Sequence, residues 1–568
     1  MGLTSALGIG RSALAAYQAA LQIVGQNIAN AGTPGYSRGT ASLSSVAGAQ
    51  TVNGQFGGGV LLEAVRRNVS EALHARLRMA MSDREDAQAQ RTSLARVEDI
   101  FNPLGDTNLG TLLGEFFKSV GNVQNTPESV PARSLVVSSA QALAERIRDI
   151  HGGLLGLRND FNAEIETAVL QADQIATKIA ELNTEITVAE AASGHGTSQL
   201  RDQRDQLLGE LSQIVSITVR EQPTGAVNVY IGNNPLVQFG QSFGIKAVTE
   251  IDSSGLANVV VRFKLDNGPV TSSSGQIAGL IESRDTHATA QLTRLDQLAS
   301  ALIREVNNIH SGGKGLIGFS NITGLSAVTD PSLALSTVGN GVAFPPKTGS
   351  FFIDVKDSTT GTSTRHQINV DLDGIGGDSS LNSIAADISA NVPGVTATVL
   401  ADGRLQLSSA GGTTFSFADD TSNVLASLGI NTLLTGTNSS DINVNSLIAA
   451  EPSLLAAAQS DFAGDGSNAT ALTALKDQVI SSLGGVSLNE FYTTTTANIA
   501  VSVSGAQSKL DAGEVILDSL TSQRENLSGV SLDEEAINMI TYQRAYEGAA
   551  QYMRVVNDML QELLTLAR

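Results

Sequence analysis

Apolar residues return at alternating spacings of four and three at both ends of this chain. Near the start the series is Leu3, Leu7, Gly10, Leu14, Tyr17, Leu21, Val24, Ile28 and Ala31; near the end it is Met539, Tyr542, Tyr546, Ala549, Met553, Val556, Leu560, Leu563 and Ala567. That alternation is the seam of a coiled coil. Gln18, Gln22, Gln26 and Asn30 stand four apart and form a polar ridge on the first helix's opposite edge. Neither helix can bury its seam alone, so the two ends are expected to pack on each other as one unit, with the rest of the chain an excursion from it.

Along that excursion the period changes several times. Gly32-Thr33-Pro34-Gly35 stops the first helix, with Pro34 setting one backbone angle and Gly35 free to take a positive one. An extended segment covers Thr40 to Leu62, and a second helix is expected from about Val65 to Phe101, with a stripe of Val69, Leu73, Leu77, Ala80, Ala87, Leu94 and Val97. A short helix around Leu112 to Val120 precedes a very long one. Its stripe runs from Leu143 to Ile186, with one extra residue between Phe161 and Ala168 that reads as a stutter, and Gly152, Gly153 and Gly156 mark a place for a bend. Ser193 to Thr197 turns the chain into a helical hairpin with Leu200, Leu207, Leu211 and Ile214. Period-two runs between Ser216 and Phe263 give a small β patch, and helical spacing resumes from Ala288 to Ile309.

From about Gly315 to Gly436 the texture is Gly, Ser, Thr and Asp with short alternating strands (Phe351, Ile353, Val355; Ile368, Val370, Leu372), a helix at Leu381 to Ile388 and a hairpin turning at Asp402-Gly403. Its order is βαβ-like, as in a domain inserted into a helical host. Leu488-Asn489-Glu490-Phe491-Tyr492 opens a further helix with Val503, Ala506, Leu510, Leu517, Leu520 and Leu527 on one face. Ser531 as N-cap and Glu534 three residues on form a capping box for the last helix. The fold class is mainly α with an inserted β-rich domain, with coiled-coil-like helices from both termini packed together. Three domains follow: 1–40 plus 528–568, a terminal helical domain; 41–314 plus 437–527, a helical second domain with the β patch at about 216–263; and 315–436, an inserted α/β or β-rich outer domain.

Composition narrows the function classes. With 35 Lys plus Arg against 56 Asp plus Glu, the net charge is −21, which argues against a phosphate-binding surface and against nucleic acid as a partner. Cysteine is absent, so neither a disulfide nor a Cys-ligated metal exists. This suits a protein exported unfolded and equally one kept in the cytosol. No Sec-type signal, no apolar run of the roughly 20 residues a spanning helix needs and no myristoylation pattern stand out, so membrane insertion is not expected. The six histidines are scattered without HExxH spacing. Asp371-Leu372-Asp373-Gly374 starts like a calcium loop, but Ile375 and Asn382 stand at ligand positions, and a strand-ending turn accounts for it better. No phosphate-cradling loop and no nucleophile elbow were found; no catalytic, cofactor-binding or metal residue is assigned.

Two runs carry more than local structure. The run Asn27-Ile28-Ala29-Asn30-Ala31-Gly32-Thr33-Pro34-Gly35-Tyr36-Ser37 resembles the signature shared by axial proteins of the bacterial flagellum, and Gly529-Val530-Ser531-Leu532-Asp533-Glu534-Glu535 with Tyr542-Gln543-Arg544-Ala545-Tyr546 is similar to that family's C-terminal motif. Rod and hook members put mostly β domains between these ends. The long helices here resemble instead the hook-associated branch.

The resemblance implies an elongated, non-enzymatic axial subunit at the hook–filament junction of the extracellular flagellum, needed for filament assembly and secreted unfolded by type III export. Implied partners are other copies in a helical ring, the flagellar hook protein, the next hook-associated protein and an export chaperone on the C-terminal helix. The assembly interface is expected to be Leu3, Leu7, Leu14, Tyr17, Leu21, Val24 and Ile28 with Met539, Tyr542, Tyr546, Met553, Val556, Leu560 and Leu563; the family motif comprises Asn27, Ile28, Ala29, Asn30, Thr33, Pro34, Gly35 and Tyr36. Two alternatives stand beside it: another axial subunit of hook or rod type, and a secreted enzyme with its active unit in the inserted domain, where His366 is the lone histidine.

Overall fold

The first helix, α1 (Leu3–Ala29), ends where Pro34 and a positive-φ Gly35 (81°) turn the chain into an antiparallel hairpin of β1 (Gly39–Ser45) and β4 (Val60–Arg67), whose tip carries β2 (Gln50–Thr51) and β3 (Gly54–Gln55). The computed structural model describes residues 3–47, 50, 51, 54, 55, 57–101, 104, 105, 107–193, 197–253 and 255–566. The second helix starts later than expected. Val65 belongs to β4, whose Val60-Leu61-Leu62 start is β-rich, and α2 (Glu71–Phe101) begins only after Ser70, whose hydroxyl accepts from the Leu73 N–H at 3.4 Å. Beyond it come α3 (Leu109–Asn125), capped by Asn108, and the 64-residue α4 (Val130–Ser193), about 96 Å long at 1.5 Å per residue.

α4 runs through Gly152, Gly153 and Gly156 as one helix, and Phe161, Ile165 and Ala168 are all buried, so the stripe stays inside across the stutter. The expected turn after it falls on residues 194–196, outside the described ones. α5 (Ser198–Ile214) leads into the meander β5 (Thr218–Glu221), β6 (Val227–Ile231), β7 (Asn234–Gln238) and β8 (Gln241–Ser242), then the hairpin β9 (Ile245–Ile251) and β10 (Ala257–Phe263). Next are α6 (Gln276–Glu282), a π-helical turn Ser283–Ala288 and α7 (Thr289–His310).

The inserted region holds β11 (Asn321–Thr323), β12 (Gly349–Asp357), β13 (Ser363–Val370), α8 (Leu381–Asn391), β14 (Val395–Val399), β15 (Leu405–Ser409), β16 (Thr413–Ala418) and α9 (Val424–Ser427). Two three-stranded sheets form, in the orders β11-β15-β14 and β13-β12-β16. Every strand pair in them is antiparallel, which corrects the βαβ-like reading: α8 links strands of different sheets rather than crossing over within one. β17 (Leu434–Thr435), β18 (Asn443–Val444), α10 (Ser446–Ala450), α11 (Ser467–Ala474), α12 (Leu488–Ser528) and α13 (Leu532–Leu566) complete the chain. The whole is mainly helical with an inserted β-rich region and long terminal helices packed together.

The chain divides into two compact units, one of residues 1–93, 160–283 and 504–568 and the other of 94–159 and 284–503. In the first, α4 pins the β meander with buried amides. Asn183 Oδ1 accepts from Val227 N–H at 3.0 Å while its Nδ2 donates to Val227 and Phe239 carbonyls, and Asn162 does the same for β10 through Val259 and Ala257. Leu77, Ala80 and Leu520 form a buried cluster with Leu73, Met81 and Leu517.

In the second unit the end of α7 is stitched to the segment after α9. Asn307 exchanges both its amide bonds with Leu434, and fully buried His310 donates from Nδ1 to the Asn431 carbonyl at 2.8 Å while Nε2 accepts from Ala456 N–H at 2.9 Å. The two partners fix the neutral Nδ1–H tautomer, and burial lowers the pKa to about 4. Asp371, Asp373 and Asp378 cluster within 4.8 Å at the end of β13. Their carboxylates accept from amides of their own loop, including Ile375 N–H to Asp373 and Gly374 N–H to Asp378, which is the chemistry of a turn.

Candidate assembly site at the joined termini

At Gly10 α1 and α13 approach closely: a Cβ there would overlap Met553 Sδ and crowd Tyr552. Of the expected interface residues on α1, Val24 is buried and Leu7, Leu14, Tyr17, Leu21 and Ile28 are half-buried; the Leu3 side chain lies outside the described residues. On α13, Val556 is buried and Tyr542, Met553 and Leu560 are half-buried, whereas Met539 (40%), Tyr546 (36%) and Leu563 (50%) remain exposed. Within one chain the expected seam is therefore covered along only part of its width.

Sequence reasoning missed a second buried row on α1, Ala16, Ala20, Ile23 and Asn27, spaced four, three and four. This face meets the β1–β4 hairpin, with Ile23 and Asn27 against Gly39 and Ser12 against Gly59. Its signal was present as small residues at helical spacing, but the identity of the partner, a hairpin, was not.

Asn27 is the hub of the site. It is 1% exposed, and both lone pairs and both N–H groups of its amide are used. Oδ1 accepts from the Tyr36 hydroxyl at 2.8 Å and from Gly39 N–H at 3.0 Å; Nδ2 donates to the Gly39 carbonyl at 2.8 Å and to Glu535 Oε2 at 2.9 Å. The N-terminal run thus closes on the C-terminal one through a side-chain amide. Glu535, also 1% exposed, takes Arg38 on its other oxygen, with Nε at 2.8 Å and Nη2 at 2.7 Å. Burial, then the negative charges of Asp202 and Glu535, push the Tyr36 phenol above its usual pKa, so it stays a donor to Asn27.

The rest of the motif shapes the turn. Asn30 caps back onto Gln26 O at 2.9 Å, Thr33 N–H reaches the Asn30 carbonyl at 2.9 Å, and the turn of Thr33, Pro34 and Gly35 is exposed, as is Ala29. Arg38 then binds the α12–α13 turn by donating its backbone N–H to Ser528 O at 2.9 Å. The capping box is half formed: the Ser531 hydroxyl faces Glu534 N–H at 3.5 Å, but the Glu534 carboxylate turns to Arg38 Nη1 at 2.7 Å instead of reaching back. Arg67 of β4 anchors the hairpin on Asp202 and Asp205 of α5 at 2.7 and 2.8 Å. Between the motif turn, α2, α5 and the α12–α13 turn lies a cleft of about 1040 Å³.

This chain is similar to flagellar proteins. The family described as "Flagellar hook-associated protein FlgK helical domain" matches residues 94–324, "Flagellar basal body rod FlgEFG protein C-terminal" matches 522–566, and "Flagella basal body rod protein" matches 7–36. Flagellar hook-associated protein 1 of Salmonella typhimurium is 26% identical over 586 residues, covering 99% of this chain and all of the relative. Its Bacillus subtilis counterpart is 28% identical over 349 residues, 55% of this chain and 67% of the relative. The flagellar hook junction protein FlgK from Burkholderia pseudomallei shares the fold, with a TM-score of 0.54 at 15% identity over 80% of this chain and 100% of that one.

Proposed function

Because this chain belongs to the rod and hook family of bacterial flagellar axial proteins, within it to the hook-associated protein 1 type, we propose that it joins hook to filament through the outer face of its terminal helix pair. It is a secreted structural subunit of the flagellum. The supporting observation is α13 itself: only Glu535 and Val556 are buried along 35 residues, while Ile537, Ile540, Met559, Leu563 and Leu566 are between 49% and 79% exposed. Fully burying one such side chain is worth about 1.5–3 kcal/mol, so a ring of copies that covers this face gains what a single chain cannot.

The partners proposed for that face are other copies in the ring, the hook protein on one side and the next hook-associated protein on the other. An export chaperone is proposed to cover it before secretion. The domain scheme that goes with this reading keeps 1–40 plus 528–568 at the interface, 41–314 plus 437–527 as the helical second domain and 315–436 as the outer domain. Within the motif, Asn27, itself held by the Tyr36 hydroxyl, ties α1 to Glu535 of α13.

Tyr546→Asp tests the reading. Position 546 is exposed in the single chain, so the isolated protein is expected to melt as before; once neighbours cover it, an unpaired carboxylate costs several kcal/mol and incorporation is lost. Glu562→Lys, at an exposed position, is the control, with a change within about 0.5 kcal/mol. Normal filaments on cells carrying Tyr546→Asp would remove this face from the interface.

A further inference from the structure

Arg78 on α2 is a buried guanidinium with no acceptor. It is 8% exposed, lines the 1040 Å³ cleft, and among the described residues takes part in no hydrogen bond or ion pair. The carboxylates whose charges reach Arg78 are Glu71 on its own helix and Asp205 on α5; neither makes a hydrogen bond or ion pair with it, and Asp205 is held by Arg67 at 2.8 Å. Two further buried polar atoms on the cleft wall lack a partner, His74 Nε2 and the Ser528 hydroxyl. A cation without an acceptor, beside two residues with orphaned polar atoms on the wall of the same cleft, describes a site that an acceptor from outside the chain would complete.

We propose that this cleft receives an aspartate or glutamate side chain from a second copy of the chain, its carboxylate bound by the Arg78 fork with the Ser528 hydroxyl as a further donor; the proposal rests on the axial-subunit reading above. A planar, singly charged carboxylate matches a guanidinium through two parallel bonds. Asp205, Glu210, Glu525 and Glu534 line the cleft together with Arg38, Arg78 and Arg524, a balance that disfavours a doubly charged phosphate. The volume is that of a pocket for a large ligand rather than for one small anion, so the carboxylate arrives on a polypeptide segment. With 56 acidic against 35 basic residues, every other copy presents an outer surface rich in that group.

The test uses the full-length chain in three arms. Arg78→Met removes an unpaired buried charge, so the isolated protein is expected to melt at the same temperature or higher while its incorporation into flagella falls at least tenfold; Arg78→Lys, which keeps the charge but not the fork, falls in between. A lower melting temperature for Arg78→Met would mean an internal acceptor exists and would overturn the proposal. So would wild-type incorporation, and if Tyr546→Asp still blocked assembly in the same strain background, only the cleft proposal would fail.

A photo-crosslinking residue in place of the exposed Leu527 at the cleft rim identifies the source. A product of twice the 58.8 kDa chain mass supports a second copy, and a product with any other protein overturns that assignment. In the third arm sodium acetate replaces sodium chloride. If acetate raises the wild-type melting temperature but not that of Arg78→Met, and the cross-link is absent, the site takes free carboxylates only and the second-copy proposal is overturned.

Discussion

Asn27 shows how one side chain can close a chain of 568 residues on itself. All four of its hydrogen-bonding positions are engaged, so no single replacement reproduces them. Asn27→Asp loses both donors and sets a carboxylate beside Glu535; the expected cost is about 3–5 kcal/mol, read as loss of the α1–α13 pairing by amide exchange. Glu535→Gln in the same chain removes the repulsion and should recover part of it, and a strictly additive double mutant would disprove the contact.

His310 gives a second residue-scale prediction. Its folded pKa of about 4 lies below the unfolded value of about 6.5, so the unfolded chain binds the extra proton first and stability falls as pH drops through that window, by about 3 kcal/mol in all. His310→Leu is less stable than wild type at pH 7, because Ala456 N–H and Asn431 O are left unpaired, but urea melts at pH 4.5 should show that gap narrowed by about 2–3 kcal/mol. An unchanged gap would mean that His310 is not the acid-sensitive group.

At the scale of elements, the inserted region is joined to its host more firmly than its composition suggests. Replacing 315–436 with a short Gly/Ser linker deletes Asn431 and Leu434, the partners of His310 and Asn307. Each buried side chain left unpaired costs about 1–3 kcal/mol. Replacing only 319–418 spares those bonds and the link from Asp419 N–H to Gly312 O, at 2.9 Å, that brings the cut ends together. The shorter deletion should retain the helical circular-dichroism signal and melt at a higher urea concentration than the longer one; equal midpoints would place the joint elsewhere. α13 is the contrasting element, a 35-residue helix with two buried residues, and its amides are expected to exchange faster in the isolated protein than those of the deeply buried α4 stripe. Uniform protection across both helices would contradict this.

For the whole molecule, the proposed function rests on incomplete burial. A structural subunit that finished its own core would have nothing left to assemble with, and the proposed contacts use two parts left open in the single chain, the outer face of α13 and the cleft beside Arg78. A net charge of −21 is compatible with that reading, since like-charged free copies repel one another until specific apolar and paired contacts outweigh the repulsion.

Periodicity was enough to reveal the long helices, the seams at both ends and the β texture between them, though not the short helices α6, α9, α10 and α11, because a three-four repeat needs several turns to show and survives without tertiary partners. The family runs were equally legible, since Pro34, Gly35 and the residues around them stand consecutively. The start of α2 was misplaced because Val60 to Val65 can serve either period, and only pairing with β1 decides for strand. The antiparallel order of the inserted sheets, the second buried face of α1 and the bond from Asn27 to Glu535 across 508 positions were settled by tertiary structure alone. Each depends on which distant segment arrives to complete a hydrogen bond or cover a face, and a hydropathy pattern records only that a partner is needed.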